Sequence, residues 1–375
     1  MPTNIDWCVG VEVELLAPPG KSRLDLALAI ARARGGQVRR FFHPQSEPSK
    51  VPGTPVFHNL TLGFEVLHHE GGWIAKCVDD LTLQSDLARD ARPKADWYRI
   101  LSDDERLLRL IQEQADASLP IDQVLAPIGR LFATEPSPGP GGMIRVHDKC
   151  GSPIAIAAPL PGERERPCEL VTAPLKDRHQ EQLDELLGLA RSLGFTAPAE
   201  GATHLHFDAT ALQTAKAFAN LVQLLWVYNA ALKSLMKTNP QCVRLGAWPA
   251  TLMEMVSEPD FAQKTWPQVQ SLVKSVELTK YCDFNLIHYL KGRPEQNTLE
   301  VRILPVSLSS RSIIDATNLF VAILKRATGP RIPPRKEPRD GSLASQKSLL
   351  DELALSQDLK ERWLANSPED FKTKA

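Results

Sequence analysis

Short segments in which apolar and polar residues alternate recur along this chain. Alternation at period 2 is typical of a β-strand, in which residues i and i+2 lie on the same face. Four such segments, at 9–16, 168–175, 203–208 and 298–304, carry the chemically active polar residues Glu12 and Glu14, Glu169, His204 and His206, and Glu300 and Arg302. The pattern therefore predicts four strands that each present acidic, imidazole or guanidinium groups among β-forming residues.

Segments with apolar residues at helical spacing separate these strands. The first follows Ser22, a candidate N-cap, and ends before Gly35-Gly36, with Leu24, Leu28 and Ala31 expected on one side. Further helices are expected over residues 103–115, 178–193, 211–237 and at the end of 298–327. Further strands are expected over residues 37–42, 57–67, 73–78, 143–147 and 154–158. The proline-rich or glycine-rich stretches 44–55 and 136–142 are expected to be exposed loops and candidate lids.

Strands at non-adjacent places with helices between them predict an α+β fold. We expect a mostly antiparallel sheet with helices packed on one face and the polar strand residues on the other. One domain is predicted over residues 1–327. A linker rich in proline and charge is expected at 328–342, and short helices at 343–356 and 357–366 complete the C-terminal segment 328–375.

Composition narrows the classes of function. The chain has 375 residues, 43% of them hydrophobic, and a net charge of −1, so there is no electrostatic case for a nucleic acid or an anionic membrane as partner. No apolar stretch has the length of a signal or a membrane span, and a cytoplasmic protein is expected. The six cysteines are scattered without a C-x-x-C pair, which argues against zinc and against a disulfide framework.

Paired carboxylates on an apolar strand need a partner. Like charges repel, and burying each one costs several kcal/mol unless it is compensated. A cation would compensate them, and a carboxylate-rich set with imidazole suits Mg²⁺, or alternatively Mn²⁺. For any single segment a solvated polar face is the simpler interpretation. Because four segments show the same pattern, a shared metal site is the better interpretation of the set.

The order of these segments resembles the amidoligases, a family of carboxylate–amine ligases with a glutamine synthetase-like fold. The motifs that carry the resemblance read GVEVE (10–14), ELVTAPL (169–175), THLHFD (203–208) and TLEVR (298–302). A fifth, weaker motif runs from Trp73 to Leu83. The chain departs from the family pattern at Asp80-Leu81-Thr82, where Asp-Gly-Ser is usual, and at Gly201, which lies three residues before His204. The resemblance covers about residues 8 to 325.

The resemblance implies a site that uses ATP and two or three Mg²⁺ ions, and residues can be assigned to two of these ions. Glu14 and Glu169 would hold one ion on the side of the substrate amine. A second ion, against the ATP phosphates, would be held by Glu12, His204 and Glu300. Together with Arg302, the glutamates Glu12, Glu14 and Glu300 are the predicted catalytic residues.

Two further side chains on the same strands are predicted to contact phosphate. His206 would contact an ATP phosphate, and Arg302 would contact the transferred phosphoryl group, because a planar donor fork suits it. The alternative for Arg302 is a salt bridge to one of the glutamates. The alternative for His206 is a hydrogen bond to a metal ligand.

Weaker candidates lie outside this set. Lys76 and Asp80 are predicted to contact nucleotide or substrate, and Arg244 and Asn285 to bind the substrate carboxylate; for each, a surface or structural role is the alternative. Neither G-x-x-x-x-G-K-[ST] nor G-x-G-x-x-G is present, so ATP is expected to bind through metal and sheet rather than through a glycine-rich loop.

Three functions fit these residues. The first is a ligase that forms an amide or isopeptide bond through an acyl phosphate, acting on an amino acid, a γ-glutamyl compound or a peptide. The second is a metal-dependent hydrolase or phosphotransferase on the same acidic site, and the third is a non-catalytic binding or scaffold protein. Family relatives often assemble, so the resemblance also allows a homo-oligomer.

Overall fold

A computed structural model of the chain describes residues 5–48, 56–88, 90–102, 104–242, 244–291, 296–334 and 337–365. The chain divides into two compact units. Unit 1 comprises the described residues within 1–13, 174–188 and 200–375, and unit 2 those within 14–173 and 189–199.

The structure contains both strands and helices along its whole length. The strands are β1 (Val9–Leu16), β2 (Gln37–Pro48), β3 (Val56–Leu67), β4 (Trp73–Val78), β5 (Tyr98–Leu101), β6 (Ser137–Pro138), β7 (Ile144–His147), β8 (Pro153–Pro159), β9 (Pro167–Thr172), β10 (Ala202–Asp208), β11 (Phe284–Asn285) and β12 (Thr298–Pro305). The helices are α1 (Arg23–Arg34), α2 (Glu105–Gln114), α3 (Ala126–Leu131), α4 (His179–Ser192), α5 (Ala215–Val227), α6 (Asn229–Met236), α7 (Ala250–Ser257), α8 (Trp266–Val273), α9 (Ile287–Lys291), α10 (Ser310–Thr328), α11 (Leu343–Glu352) and α12 (Gln357–Ala365). No helix in these ranges combines the length and apolar composition needed to cross a bilayer.

In unit 1, four antiparallel strands form a sheet in the order β11-β12-β10-β1, to which β1 contributes its residues up to Val13. Alternate residues of these strands form the apolar core. Phe207 on β10 and Phe284 on β11 both pack against Phe320 of α10, with ring centroids about 6 Å apart, at 6.2 and 6.1 Å. Since successive strand residues point to opposite faces, the polar residues between them lie on the other face of this sheet.

The C-terminal part of unit 1 is tied to α5 by a buried amide. Asn220 donates to the carbonyls of Ala327 and Pro330 at 2.9 and 3.2 Å and accepts from the amide of Ile332 at 2.8 Å. The amide of Arg339 donates to the carbonyl of Val227. Much of the 328–342 stretch therefore follows α5, and α11 then packs against α6.

In unit 2, the strands follow the order β9-β4-β3-β5-β8-β7-β6, and β2 lies along the other edge of β3. All of these pairings are antiparallel. The α+β class and the antiparallel sheets predicted from the alternation are thus confirmed, and α1 packs on β3 and β4.

A buried charge network lies beneath α1 in unit 2. Asp79 is fully buried between Arg164, 2.6 Å away, and Arg23, 3.7 Å away. Arg23 also donates to the carbonyl of Leu62 at 2.9 Å, and its guanidinium lies 4.6 Å from the ring centre of Trp97. Each buried charge therefore has an ion pair or a hydrogen bond, without which its burial would be costly.

The predicted boundaries of α1 are confirmed. Ser22 forms a capping box with Asp25, and Gly35 ends the helix with a φ of 60°. The buried residues are Arg23, Leu26, Ala27, Ile30 and Ala31, whereas Leu28 is 47% exposed. Of the three residues predicted to share one side, Ala31 is therefore buried and Leu28 is not.

Three other expectations need correction. Residues 44–48 belong to β2 rather than to an exposed loop, and the remainder of that predicted loop, 49–55, lies outside the described residues. The 136–142 stretch contains β6 and a short 3₁₀ helix. The helix predicted over 211–237 is divided into a 3₁₀ turn, α5 and α6. Thr214 separates the 3₁₀ turn from α5 by accepting from the amide of Ala217, and Tyr228 lies between α5 and α6.

Candidate active site

Strand register in unit 1 brings the predicted site residues together on one sheet. Glu12 on β1 lies opposite His204 on β10, and His206 lies opposite Glu300 on β12. On the other side of β12, Glu300 lies opposite Asn285 of β11. The β10–β12 register shifts between Thr203 and Leu205, an irregularity of the kind that re-aims side chains next to active sites.

Three side chains in this sheet form a set with metal-binding geometry. One ligand atom each from Glu12, His204 and Glu300 lies within 4.8 Å of the others. His204 Nδ1 is 3.4 Å from Glu12 Oε2 and 3.7 Å from Glu300 Oε1. His204 and Glu300 are buried, and the side chain of Glu12 is 22% exposed, so the set opens toward solvent on the Glu12 side.

Cationic and amide groups surround the two carboxylates. His206 Nε2 lies 3.1 Å from Glu12 Oε1. Arg302 places a guanidinium nitrogen 2.5 Å from Glu300 Oε1, and Asn285 donates to Glu300 Oε2 at 2.6 Å. Both residues therefore make the contact that was the alternative to phosphate binding. His206 contacts Glu12 and Arg302 contacts Glu300, and both glutamates are candidate metal ligands.

These contacts hold the carboxylates ionised. Burial by itself would raise the pKa of Glu12, but the charge of His206 and hydrogen bonds from His204 and His206 hold that pKa well below its ordinary value. Burial likewise opposes ionisation of Glu300, while the charges of His206, Arg302 and His204 bring its pKa below the ordinary value. Both glutamates are thus ready to act as oxygen ligands.

The same contacts keep His206 protonated. Burial would lower the pKa of His206, but the charge and hydrogen bond of Glu12 and the charge of Glu300 raise it to about 9. At neutral pH this imidazole is therefore a cation between two anionic groups. In the absence of metal it therefore pairs with the carboxylate of Glu12.

The predicted second metal pair lies in unit 2. Glu14, two residues after Glu12 on β1, is 6% exposed, and Glu169 is half-buried on β9, opposite Val78 of β4. The two predicted metal sets thus belong to different compact units. The roles of Glu14 and Glu169 stay predictions.

The remaining candidates have protein partners of their own. Lys76 lies 3.3 Å from Glu65 and 4.7 Å from the ring centre of Trp73. Asp80 accepts from both the amide and the hydroxyl of Thr82, which makes a local turn. Arg244 lies over the ring of Tyr281 at 5.4 Å, and Asn285, besides its bond to Glu300, accepts from the amide of Ile287 at the start of α9.

Two residues near the site were not predicted. Thr298 Oγ1 lies 3.5 Å from His206 Nδ1, and it was visible in the same alternation, two residues before Glu300. His288 lies on α9, where burial lowers its pKa while the charges of Glu300 and His206 also act on it. A single histidine in a short apolar helix gives no periodic signal, so only the fold reveals it.

The donor set fits Mg²⁺. Two carboxylate oxygens and one imidazole nitrogen converge within 4.8 Å, and carboxylate ligands suit Mg²⁺ and Mn²⁺ better than they suit a structural zinc. Mg²⁺ usually keeps several waters and takes its other ligands from substrate phosphates. Three protein ligands with one open side meet that requirement.

Comparison with known proteins identifies the family. A family model described as "Putative amidoligase enzyme" matches residues 6–324, so the chain belongs to this family and the predicted resemblance is confirmed. The matched range includes all the strands that carry the site. No curated protein matches the chain.

Proposed function

We propose that this protein is an ATP- and Mg²⁺-dependent ligase that joins a carboxylate to an amine. The observation that carries the proposal is the convergence of Glu12, His204 and Glu300, with His206 and Arg302 in contact with the two glutamates. Membership of the amidoligase family supports amide formation as the reaction. A glutamine synthetase-like fold and a cytoplasmic location, where ATP and Mg²⁺ are available, are parts of this proposal.

The reaction needs two steps, because a free carboxylate does not condense with an amine in water. In the first step a carboxylate oxygen attacks the γ-phosphorus of ATP, the bond to the β-phosphate oxygen breaks, and ADP leaves. In the second step the amine nitrogen attacks the acyl carbon of the acyl phosphate, inorganic phosphate leaves, and the nitrogen loses a proton. An amino acid, a γ-glutamyl compound or a peptide would supply the two groups.

The residues of unit 1 would mainly position the reacting groups and stabilise the charge on the phosphates. Glu12, His204 and Glu300 would hold Mg²⁺, which when bound neutralises charge on the phosphates. Arg302, held at 2.5 Å from Glu300, would bring its guanidinium to the transferred phosphoryl oxygens. Protonated His206 would contact a phosphate oxygen from the same strand as His204.

Residues outside this set would complete the substrate sites. Glu14 and Glu169 would hold a second Mg²⁺ on the amine side, and Lys76 and Asp80 would contact nucleotide or substrate. Arg244 would bind the substrate carboxylate. Asn285, proposed for the same role, already holds Glu300 and would act mainly by orienting that ligand.

The direct assay is ADP release from ATP and Mg²⁺ across a panel of amino acids and short peptides, offered singly and in pairs. We expect release that requires one particular pair, with a new amide detected by mass spectrometry. Release without any amine would indicate a hydrolase or uncoupled activation. ATP binding without release would direct the search to larger peptide substrates, and absence of both would contradict the proposal.

Matched variants connect that assay to the site. Glu12→Gln and Glu300→Gln remove a charge at constant shape and should reduce ADP release at least a hundredfold. Glu181→Gln, on the exposed first turn of α4, makes the same chemical change elsewhere and should release ADP at the wild-type rate. Wild-type turnover in both site variants would contradict the metal assignment.

A further inference from the structure

The outer edge of β2 in unit 2 is open along the first half of the strand. Among the described strands β2 pairs with β3 alone, whereas β3 has β4 and β5 on its other side. Gln37, Arg39 and Arg40 are exposed, and Val38 and Phe41 are half-buried. One side of the β2 backbone therefore faces solvent in this region.

Two side-chain hydrogen bonds show which backbone groups of β2 lie on this edge. Phe42 lies opposite Leu62 in the antiparallel β2–β3 pair. The carbonyl of Leu62 accepts from Arg23 Nε at 2.9 Å, and the carbonyl of Phe42 accepts from Gln112 Nε2 at 2.8 Å. Opposite residues of an antiparallel pair either bond each other or both bond outward, so Phe42 and Leu62 bond outward.

The backbone bonds on the other side of β3 agree with this assignment. The carbonyl of Trp97, the residue before β5, accepts from the amide of Leu160 on the β8 side. Alternation then directs Ile100 of β5 toward β3, and Leu60, which lies opposite Ile100, toward β5. Leu62, two residues after Leu60, therefore also bonds away from β2.

Val38 and Arg40 share the outward direction of Phe42, because this direction alternates along a strand. Apart from the bond from Gln112, no described residue hydrogen-bonds the outward backbone groups of these three residues. Beyond them, Pro44 has no N–H to offer. The open edge is therefore residues 38–42, and an edge of this kind can receive an extended peptide as a further strand.

The charge around the open edge favours an acidic partner. Residues 31–40 contain no acidic residue and include the arginines Arg32, Arg34, Arg39 and Arg40. Arg39 pairs with Glu65, which Lys76 also contacts at 3.3 Å, so this face keeps a positive excess. Arg40, the next residue, points to the other face of the strand. An added strand would thus meet one arginine on each face.

A second copy of the chain suits the open edge less well. The antiparallel arrangement of two β2 strands that uses the whole open edge is centred on Arg40, the middle one of the three outward-bonding residues. It would place the two Arg40 side chains directly opposite each other, and like charges in that position destabilise a sheet.

We propose that the open edge of β2 binds an extended acidic peptide segment as an added strand. The outward amide and carbonyl groups of Val38, Arg40 and Phe42 would bond the peptide backbone, and Arg39 and Arg40 would contact carboxylates on its two faces. The proposal does not depend on the ligase reaction, because binding is measured without ATP.

The test is calorimetric titration of the purified full-length protein with the end-capped peptide Thr-Val-Glu-Glu-Val-Thr. Its adjacent glutamates point to opposite faces of an added strand, so each can meet one arginine. We expect this peptide to bind at least tenfold more tightly than Thr-Val-Lys-Lys-Val-Thr. Equal affinity, preference for the lysine peptide, or no binding at millimolar concentration would overturn the proposal.

N-methylation of the peptide tests whether it binds as a strand. Alternate N–H groups of an added strand bond β2, and the others point away from it. One analogue carries N-methyl groups on the first glutamate and the second valine, and the other on the first valine and the second glutamate. One analogue should bind as the parent peptide does, and the other should not bind. Loss of binding in both, or in neither, would contradict strand addition.

Proline at position 40 tests the backbone contact from the side of the protein. Arg40→Pro removes an outward N–H and should keep the β2–β3 bonds, because proline is tolerated on an edge strand where its nitrogen faces solvent. We expect Arg40→Pro to lose the glutamate peptide. Arg40→Ala, which loses the same charge and keeps the N–H, should retain part of the affinity. Equal affinities of the two variants, with the thermal unfolding midpoint of Arg40→Pro within a few degrees of wild type, would contradict the contact.

Reversal of one charge tests the preference for acidic peptides without a change of backbone. Arg40→Glu should bind the glutamate and lysine peptides with similar affinity. Arg130→Glu, at an exposed position of α3, makes the same change elsewhere and should keep the wild-type preference. An unchanged preference in Arg40→Glu would contradict the role of Arg40. Sedimentation velocity of the unliganded protein should show no dimer that Arg40→Pro dissociates. Such a dimer would show that a second copy covers the edge and would overturn the proposal.

Discussion

Glu300 is the most constrained carboxylate of the candidate site. One oxygen contacts Arg302 and lies 3.7 Å from His204, and the other accepts from Asn285. A buried carboxylate with so many donors is fixed in orientation, which is what a metal ligand near a reacting phosphate requires. Burial opposes ionisation of Glu300, but the charges of His206, Arg302 and His204 bring its pKa below the ordinary value.

Replacement of Arg302 by lysine tests whether the guanidinium is needed for more than its charge. Lysine keeps the positive charge but loses the planar fork that can hold Glu300 and an oxyanion at once. We expect Arg302→Lys to lower kcat by about 10²–10³-fold, the usual effect of removing one oxyanion donor. Steady-state kinetics of ADP release measures it.

The control for Arg302→Lys is a thermal unfolding midpoint within a few degrees of that of wild type. A large fall in the midpoint together with unchanged kcat would show that Arg302 is only a structural partner of Glu300.

The adjacent aspartates Asp79 and Asp80 in unit 2 should contribute very differently to the free energy of unfolding. Asp79→Ala would leave the buried guanidinium of Arg23 without its carboxylate, and breaking such pairs costs about 3–5 kcal/mol. Asp80→Ala would lose only the turn bonds to Thr82 and should cost about 1 kcal/mol. Urea denaturation measures both, and equal losses would contradict this difference.

At the residue scale, period 2 predicted most of unit 1's site. It located Glu12, His204, His206, Glu300 and Arg302 on strands, and the structure brings them together. It did not distinguish the buried Asp79 from the neighbouring Asp80, because burial of a polar residue depends on partners that are distant in sequence. His288 was missed because a single histidine in a helix as short as α9 gives no periodic signal.

At the scale of elements, the pairing of strands brings the site residues together, which no single strand could do. β10 places two histidines between a glutamate on β1 and a glutamate on β12, and the register shift lies next to His204. Pairing partners and register arise from long-range contacts, so the sequence predicted the strands but not their order. Four helices, α3, α7, α8 and α9, were not predicted at all.

The hydrogen bonds of Asn220 that hold the C-terminal segment to α5 should contribute to the stability of the fold. Asn220→Ala would remove three hydrogen bonds and leave buried backbone groups unpaired, at a cost of about 2–4 kcal/mol. Denaturant unfolding measures the loss, and limited proteolysis should show earlier cleavage after residue 328.

Gln182→Ala, which removes one exposed hydrogen bond, is the control for Asn220→Ala and should unfold as wild type. Equal stability of Asn220→Ala and Gln182→Ala would contradict the role of this tie.

For the whole molecule, the balance of charge in the site should appear in the pH dependence of stability. The pKa of His206 is about 9 in the folded protein, against an ordinary value of 6.5. A raised pKa stabilises the fold fully below pH 6.5, and this contribution disappears as pH rises to 9. Without metal, the free energy of unfolding should therefore fall by up to about 3 kcal/mol between pH 6.5 and 9.

Urea unfolding in the presence of EDTA at several pH values measures this fall. His206→Gln should have a nearly flat profile over the same range, because its side chain does not titrate. A wild-type profile equally flat would contradict the pairing of His206 with Glu12.

The antiparallel α+β architecture was predictable from the sequence because alternation and helical spacing are local signals. The division into two units was not, since it depends on which strands pair. Family membership was predictable as well, because the motifs that carry the resemblance lie on the strands of the site.

The central claim, activation of a carboxylate by phosphoryl transfer, is tested most directly with ¹⁸O. The carboxylate substrate found by the ADP-release panel would be labelled with ¹⁸O in its carboxyl group and incubated with its amine partner, ATP and Mg²⁺. We expect one ¹⁸O atom per amide formed to appear in inorganic phosphate, measured by ³¹P NMR or mass spectrometry. Amide formation with unlabelled phosphate would contradict the acyl-phosphate route, and ADP release without amide would contradict the ligase itself.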